Sequence, residues 1–233
     1  MAGKGVAKEY AWDTEKYLRF TPKLFATVRE QFGDDLLFLH DAHHRMTPIE
    51  AARLAKELEP HHLFWMEDPI DEDNAEGFRT IRQHSTTPLA VGEVYNALVD
   101  YRTLITEQLI DYVRTPIVHC GGITHAMKLA NFAGAFDIKT GFHGATDLSP
   151  VTMAAALHMG QAINNFGIQE HMPHQPVVSE VFKTNYSFSD GYMTIDDTPG
   201  IGVEFDETAC KKFPYDPATL PVNRLMDGTL VNW

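Results

Sequence analysis

Short apolar runs alternate with amphipathic stretches along this chain, and the alternation repeats at a nearly constant pitch. Runs such as Leu36-Leu37-Phe38-Leu39, Leu63-Phe64-Trp65-Met66 and Leu89-Ala90-Val91 have the length of buried strands, and the stretches between them carry apolar residues at helical spacing. The first stretch predicts a helix over 14–32 through Tyr17, Leu18, Leu24, Phe25, Val28 and Phe32, broken at Pro22 and closed by Gly33. A buried strand is expected over 36–44. Thr47-Pro48-Ile49-Glu50 then reads as a capping box with proline at the first helical position, opening a helix over 48–59. The same unit recurs as strand 62–67 with helix 75–84, and as strand 88–93 with helix 101–107. It continues with strand 110–114, a turn at Gly121-Gly122, helix 124–136, strand 138–143, helix 149–159 and a last strand over 165–170.

Six strands alternating with helices imply parallel pairing through right-handed crossovers. The tail breaks the pattern. Tyr186 to Ile195 reads as a hairpin around Asp190-Gly191, and Pro199, Pro214, Pro217 and Pro221 punctuate the rest. The expected division is a loose segment over 1–13, a partial barrel over 14–172 and an irregular C-terminal appendage over 173–233.

The chemistry-bearing residues sit where the apolar runs stop. Asp41, Glu67, Glu93, Arg114, His143 and Glu170 each end a different strand. A (β/α)8 barrel gathers its functional groups from the carboxyl ends of all its strands, whereas an open doubly wound sheet uses its switch point. The barrel reading is therefore preferred, although it needs eight strands and six are visible.

Composition narrows the partners. With 44% hydrophobic and 22% charged residues in 233, the chain reads as globular with a sizeable core. A net charge of −13 argues against nucleic acid or an anionic membrane as partner, and any positive charge that meets an anionic substrate must be local. No apolar run approaches the roughly 20 residues that span a bilayer. Cys120 and Cys210 stand far apart, which fits a reducing compartment, and a cytoplasmic protein is expected.

Asp41, Glu67 and Glu93 recur at one strand-plus-helix interval. If they converge, they repel one another unless a cation holds them, and hard oxygen donors suit Mg²⁺. Each acid alone would pass for a helix cap. A zinc site from His40, His43 and His44 is the rival, but strand alternation puts His43 on Asp41's face and the other two opposite. His43 is thus a candidate general acid or base. His143 lies between Gly141 and Gly144, and Arg114 offers a fork to a carboxylate or hydroxyls, or an inter-strand ion pair.

Several motifs together resemble the enolase superfamily, and within it the mannonate dehydratases and their starvation-sensing relatives. They are His40-Asp41-Ala42-His43-His44-Arg45, Trp65-Met66-Glu67-Asp68-Pro69, Val91-Gly92-Glu93-Val94, Gly121-Gly122-Ile123-Thr124, Gly141-Phe142-His143-Gly144-Ala145-Thr146-Asp147, Gly167-Ile168-Gln169-Glu170-His171-Met172 and Leu230-Val231-Asn232-Trp233. The resemblance implies that Asp41, Glu67 and Glu93 ligate Mg²⁺ and that His43 protonates the departing 3-hydroxyl, with His143 as a second catalytic group. It implies that Arg114, His143, Asp147, Glu170 and Trp233 hold the sugar acid. The implied reaction is dehydration of D-mannonate to 2-keto-3-deoxy-D-gluconate through a metal-stabilised enediolate. D-Gluconate or another aldonate is the alternative substrate, and a metal- and aldonate-binding barrel fragment with a regulatory role is the alternative function. Family members also carry an N-terminal capping domain, two earlier barrel strands and a tyrosine–arginine base, so this chain is expected to supply strands three to eight of a symmetric homo-oligomer, with activity depending on the rest. Tyr10 and Tyr17 do not read as substitutes for that base.

Overall fold

The computed structural model describes residues 11–217 and 222–231. Their contacts gather into two compact units, one drawn from 11–91, 106–111 and 222–231, the other from 92–105 and 112–217.

In the first unit, helix α1 (Thr14–Phe32) starts where Asp13 accepts from the Lys16 amide and ends at Gly33, whose φ is 68°. It runs unbroken through Pro22, contrary to the expected break. A helix-interior proline costs about 3 kcal/mol, and burying a side chain such as Leu or Phe returns roughly 1.5–3 kcal/mol. Leu18 and Phe25 are both buried, and the Thr21 hydroxyl donates to Tyr17 O beside the proline. Arg29 ties the last turn of the helix to two later loops. Its guanidinium donates to His61 O at 2.7 Å, His62 O at 3.0 Å and Leu36 O at 2.7 Å.

Strands β1 (Leu39–Asp41), β2 (Trp65–Glu67) and β3 (Leu89–Val91) run parallel, with Asp41 opposite Glu67 and Glu67 opposite Ala90. Helix α2 (Pro48–Leu58) carries the complete Thr47–Glu50 capping box, and α3 (Ala75–His84) has the expected bounds. The strands are shorter than the apolar runs. His62, for example, is left-handed after a short 3-10 turn, so pairing begins only at Trp65. β2 and β3 are buried as expected. β1 is not: Leu37 is 70% and Leu39 45% exposed, because among the described residues β1 pairs with β2 alone.

Glu59 fastens the end of α2 to the segment before β3. Its carboxylate accepts from Lys56 Nζ at 2.7 Å, the Thr86 amide at 2.8 Å and Ser85 Oγ at 3.1 Å. The Lys56 ammonium, followed by the Thr86 amide, holds its carboxyl down from 4.5 to about 2. A depressed carboxyl contributes stability that is fully present above its unfolded pKa and is lost as pH falls through the folded one. The melting temperature of wild type should therefore drop faster than that of Glu59→Gln between pH 4.5 and 2. Parallel thermal scans check this, and equal slopes would refute it.

The second unit holds α4 (Leu98–Thr106, its last residue excepted) and the parallel strands β4 (Tyr112–Val113), β5 (Lys139–Phe142) and β6 (Phe166–Gln169). Helices α5 (Ile123–Gly134) and α6 (Pro150–Ala162) connect them. Its core joins Ile117, Cys120, Ala126, Phe142, Ala155, Ala156 and Met159. The six parallel strands predicted from the sequence are all present, three in each unit. The tail after β6 is more ordered than expected: α7 (Val178–Val181), β7 (Phe182–Thr184), β8 (Tyr186–Ser189), β9 (Tyr192–Ile195), β10 (Val203–Phe205) and α8 (Glu207–Cys210). β8 and β9 form the predicted hairpin, with Asp190 and Gly191 both at positive φ, and β7 pairs antiparallel with β10. Two last short strands, β11 (Asn223–Arg224) and β12 (Leu230–Val231), pair with each other and belong to the first unit. No helix among the described residues is long and apolar enough to cross a membrane.

Candidate active site

In the first unit, β1 and β2 end together in Asp41 and Glu67, register partners whose side chains leave the sheet on the same side. Glu67 is only 2% exposed, and its Oε2 accepts from Trp65 Nε1 at 2.8 Å. A buried carboxylate beside a second carboxylate is a hard-oxygen donor pair of the kind a divalent cation compensates.

Asp41 and His43 do come together, but not by the strand alternation expected of them. The strand stops at Asp41, and His43 and His44 have φ of 55° and 59°, so alternation does not reach them. A tight turn brings the two groups together instead. The His43 amide donates to Asp41 Oδ1 at 3.0 Å, and His43 Nε2 lies 3.4 Å from Asp41 Oδ2. The same turn sends His44 elsewhere: its Nδ1 is 3.1 Å from Glu72 Oε2 and its Nε2 3.6 Å from Asp68 Oδ2. His40 packs in the other direction, its Nε2 2.6 Å from Tyr17 Oη. The three imidazoles thus go to three different sets of partners, and the zinc reading loses its ligands. Burial pushes the Tyr17 phenol well above its ordinary range, so Tyr17 keeps its proton.

In the second unit, Arg114 is 3% exposed directly after β4. Its guanidinium donates to Gly141 O at 2.8 Å and to Glu170 Oε2 at 2.7 Å, so the fork makes the inter-strand ion pair. His143 Nδ1 lies 3.0 Å from Glu170 Oε2 and 3.2 Å from Glu93 Oε2. Arg114 Nη2 is 3.3 Å from the same nitrogen. One nitrogen cannot both accept from Arg114 and donate to carboxylates, and two carboxylate oxygens against one guanidinium place the proton on Nδ1. Burial would lower the His143 pKa, but the Glu170 hydrogen bond and the Glu93 charge outweigh it and the net shift is upward. The Glu170 carboxyl moves the opposite way. Burial would raise it, yet His143 and Arg114 hold it well below the usual carboxylate range.

Gly144 shows how tightly this cluster is built. Its amide donates to Glu170 Oε2 at 2.8 Å, and a Cβ there would overlap Glu170 O. Gly144→Ala should therefore cost about 1–3 kcal/mol in urea unfolding, the usual penalty of overpacking. An unchanged midpoint would show that Glu170 can yield. Asp147 lies exposed before α6, with no hydrogen bond or ion pair among the described residues. Trp233 falls outside the described residues.

Sequence reasoning missed Trp65, Asp68 and Glu72. Strand alternation assigns Asp68 to the face opposite Glu67, and nothing in the local pattern of 68–76 announces that Glu72 folds back onto His44.

The chain matches the family model described as Enolase C-terminal domain-like over residues 12–209. It is 59% identical over 225 residues to the D-galactonate dehydratase family member RspA of Halomonas elongata, covering 97% of this chain and 56% of that protein. It is 55% identical to D-mannonate dehydratase Caul1427 of Caulobacter sp., covering the same shares. It superposes with a TM-score of 0.92 and 38% identity on an enolase from Pantoea ananatis with bound D-gluconate and Mg, covering 95% of this chain and 54% of that one. The chain spans about half the length of the curated relatives it matches. Six parallel strands alternating with helices, functional groups at their carboxyl ends and a family match over most of its length carry one conclusion: the chain belongs to the enolase C-terminal domain-like family, with the α/β fold of an incomplete enolase-superfamily barrel.

Proposed function

We propose that this chain is the barrel portion of a Mg²⁺-dependent acid-sugar dehydratase acting on D-mannonate. The observation that carries the reading is the Asp41–His43 turn, which sets an imidazole 3.4 Å from Asp41, an acid in strand register with Glu67. Relatives 55% identical are named D-mannonate dehydratases. Asp41 and Glu67, with Glu93 two residues beyond β3, are the residues that would hold Mg²⁺. When bound, the ion polarises the substrate carboxylate and so acidifies the adjacent C2–H.

This chain's own residues supply the acid and the groups that hold the sugar. His43, 3.4 Å from Asp41, delivers its proton to the 3-hydroxyl, which leaves as water. The C2 proton passes to the tyrosine–arginine base that the family resemblance places outside this chain, and the resulting enol ketonises to the 2-keto-3-deoxy acid. His143, held through Nδ1 against Glu170, presents Nε2 to a sugar hydroxyl. Glu170 and Asp147 accept from other hydroxyls, Arg114 fixes Glu170, and Trp233 covers the substrate. The free thiols of Cys120 and Cys210 suit a reducing cytoplasm. D-Gluconate is the second substrate reading, favoured by the sugar acid bound in the Pantoea ananatis neighbour.

The test is keto-acid formation from D-mannonate and D-gluconate, with the ratio of kcat/KM deciding between them. His43→Asn should lower elimination by roughly 10²–10⁴-fold, the usual contribution of a positioned acid, while exchange of the C2 proton in D₂O persists. Undiminished keto acid would end the role of His43. The assay uses the enzyme completed with its N-terminal portion, and a completed wild type that binds aldonate without converting it would replace the dehydratase reading with a regulatory one.

A further inference from the structure

We propose that Tyr17 is a positioning residue for Asp41, acting through His40; the inference rests on the proposed Mg²⁺ site. β1 is three residues long, and its last two side chains leave on opposite faces. Asp41 goes to the functional face, while the His40 ring lies against α1. Its centroid is 5.7 Å from Tyr17 in a near-parallel stack and 5.6 Å from Phe25 edge-on. The Tyr17 hydroxyl is hydrogen-bonded to His40 Nε2 at 2.6 Å, and among the described residues this is the one side-chain hydrogen bond joining α1 to β1.

On the other side the strand end is held by backbone bonds alone, Ala42 N donating to Glu67 O at 3.0 Å and His44 N to Asp68 O at 2.7 Å, and by the His43 amide on Asp41. Among the described residues β1 has one ladder neighbour, and the backbone turns left-handed two residues after Asp41. Tyr17 is itself fixed. Its backbone carbonyl accepts from Thr21, and Trp12, capped by the Arg45 guanidinium at 5.3 Å, packs against its ring at 5.1 Å. A rigid phenol holding an imidazole at short range sets the rotation of β1 about its axis. The Asp41 carboxylate, one residue on, takes its orientation from that rotation, as metal ligands commonly do from groups behind them.

The test is Mn²⁺ binding to the full chain, followed by electron paramagnetic resonance, which reads metal affinity without requiring turnover. Tyr17→Phe keeps the stacked ring and removes the hydroxyl, and should weaken Mn²⁺ by roughly 10-fold, the low end of what an outer partner bonded directly to a metal ligand is worth, because Tyr17 acts one residue away from Asp41. His40→Phe should do the same. His40→Gln, which keeps an acceptor, should bind within a few-fold of wild type, and Leu54→Ala, a cavity in the core under α2, should lower the melting temperature with no loss of affinity. Wild-type affinity in both Tyr17→Phe and His40→Phe, with Asp41→Asn unable to bind, overturns the positioning role and leaves the metal site standing. Failure of the wild type to bind Mn²⁺, or undiminished binding by Asp41→Asn, overturns the metal reading and this inference with it.

Discussion

Glu67→Gln abolishes the response of this chain to Mg²⁺. Glu67 is the most buried of the proposed ligands and stands in register with Asp41, so its charge is the one the site can least replace. Glutamine preserves the shape and the acceptor for Trp65 Nε1 but removes the anion. Outer partners of a metal ligand are worth roughly 10–100-fold in affinity, and a ligand itself should be worth at least about 100-fold. A ligand that binds only the folded state stabilises it by about 2.7 kcal/mol at a hundred times its dissociation constant. Wild type should therefore melt higher on adding Mg²⁺, and Glu67→Gln should not move. Without the ion the order should reverse, because the variant no longer buries a carboxylate beside Asp41. A variant that titrates with unchanged affinity would rule out the proposed role of Glu67 as a Mg²⁺ ligand.

Arg114→Met destabilises the second unit by about 1–3 kcal/mol, the cost of leaving a partly buried acceptor without its charged donor. The substitution keeps an apolar stem of similar length, so the loss measures the guanidinium. Gly141 O loses its donor and Glu170 loses its cation. Arg114→Lys recovers only part of the effect, since one ammonium cannot reproduce a fork that reaches both. The pH dependence gives a second reading of the same pair. The Glu170 carboxyl is held low in the folded state, so it contributes stability above the ordinary carboxyl pKa and loses it as pH falls. The gap between wild type and Arg114→Met should be widest near neutrality and should close on acidification. A urea midpoint within about 1 kcal/mol of wild type, on the scale of an ordinary exposed pair, would show that the ion pair is dispensable.

These two residues also show how unevenly the site was legible. Glu67 was readable as a strand-end acid because it recurs with Asp41 and Glu93 at one strand-plus-helix interval, although alone it would pass for a helix cap, and β2 does end there. Arg114 was readable as a strand-end cation, but its partner was not, because Glu170 lies 56 residues further along the chain. His43 was brought to Asp41 for the wrong reason. The expected strand would have paired them by alternation, whereas a turn with two left-handed residues does so, and non-glycine residues at positive φ give no periodic signal. The same blindness applies to Pro22, where local propensity predicted a break that the burial of Leu18 and Phe25 overrides.

Order that depends on neighbours within a few residues was determined by the sequence alone: the alternation of strands with helices, the Thr47–Glu50 box, the Asp190-Gly191 hairpin turn and the placing of acids and histidines at strand ends. Each rests on a hydrogen bond, a backbone preference or a periodicity closed within about one turn or one strand. Tertiary structure alone decided that β1 leaves Leu37 and Leu39 exposed, that His40 turns to Tyr17 while His44 turns to Glu72, and that Arg114 serves Glu170 and Gly141. Which face of a strand is covered, and which carboxylate meets which cation, depends on segments brought together only by the chain's crossovers, and the energy of burying a charge depends on those neighbours being there.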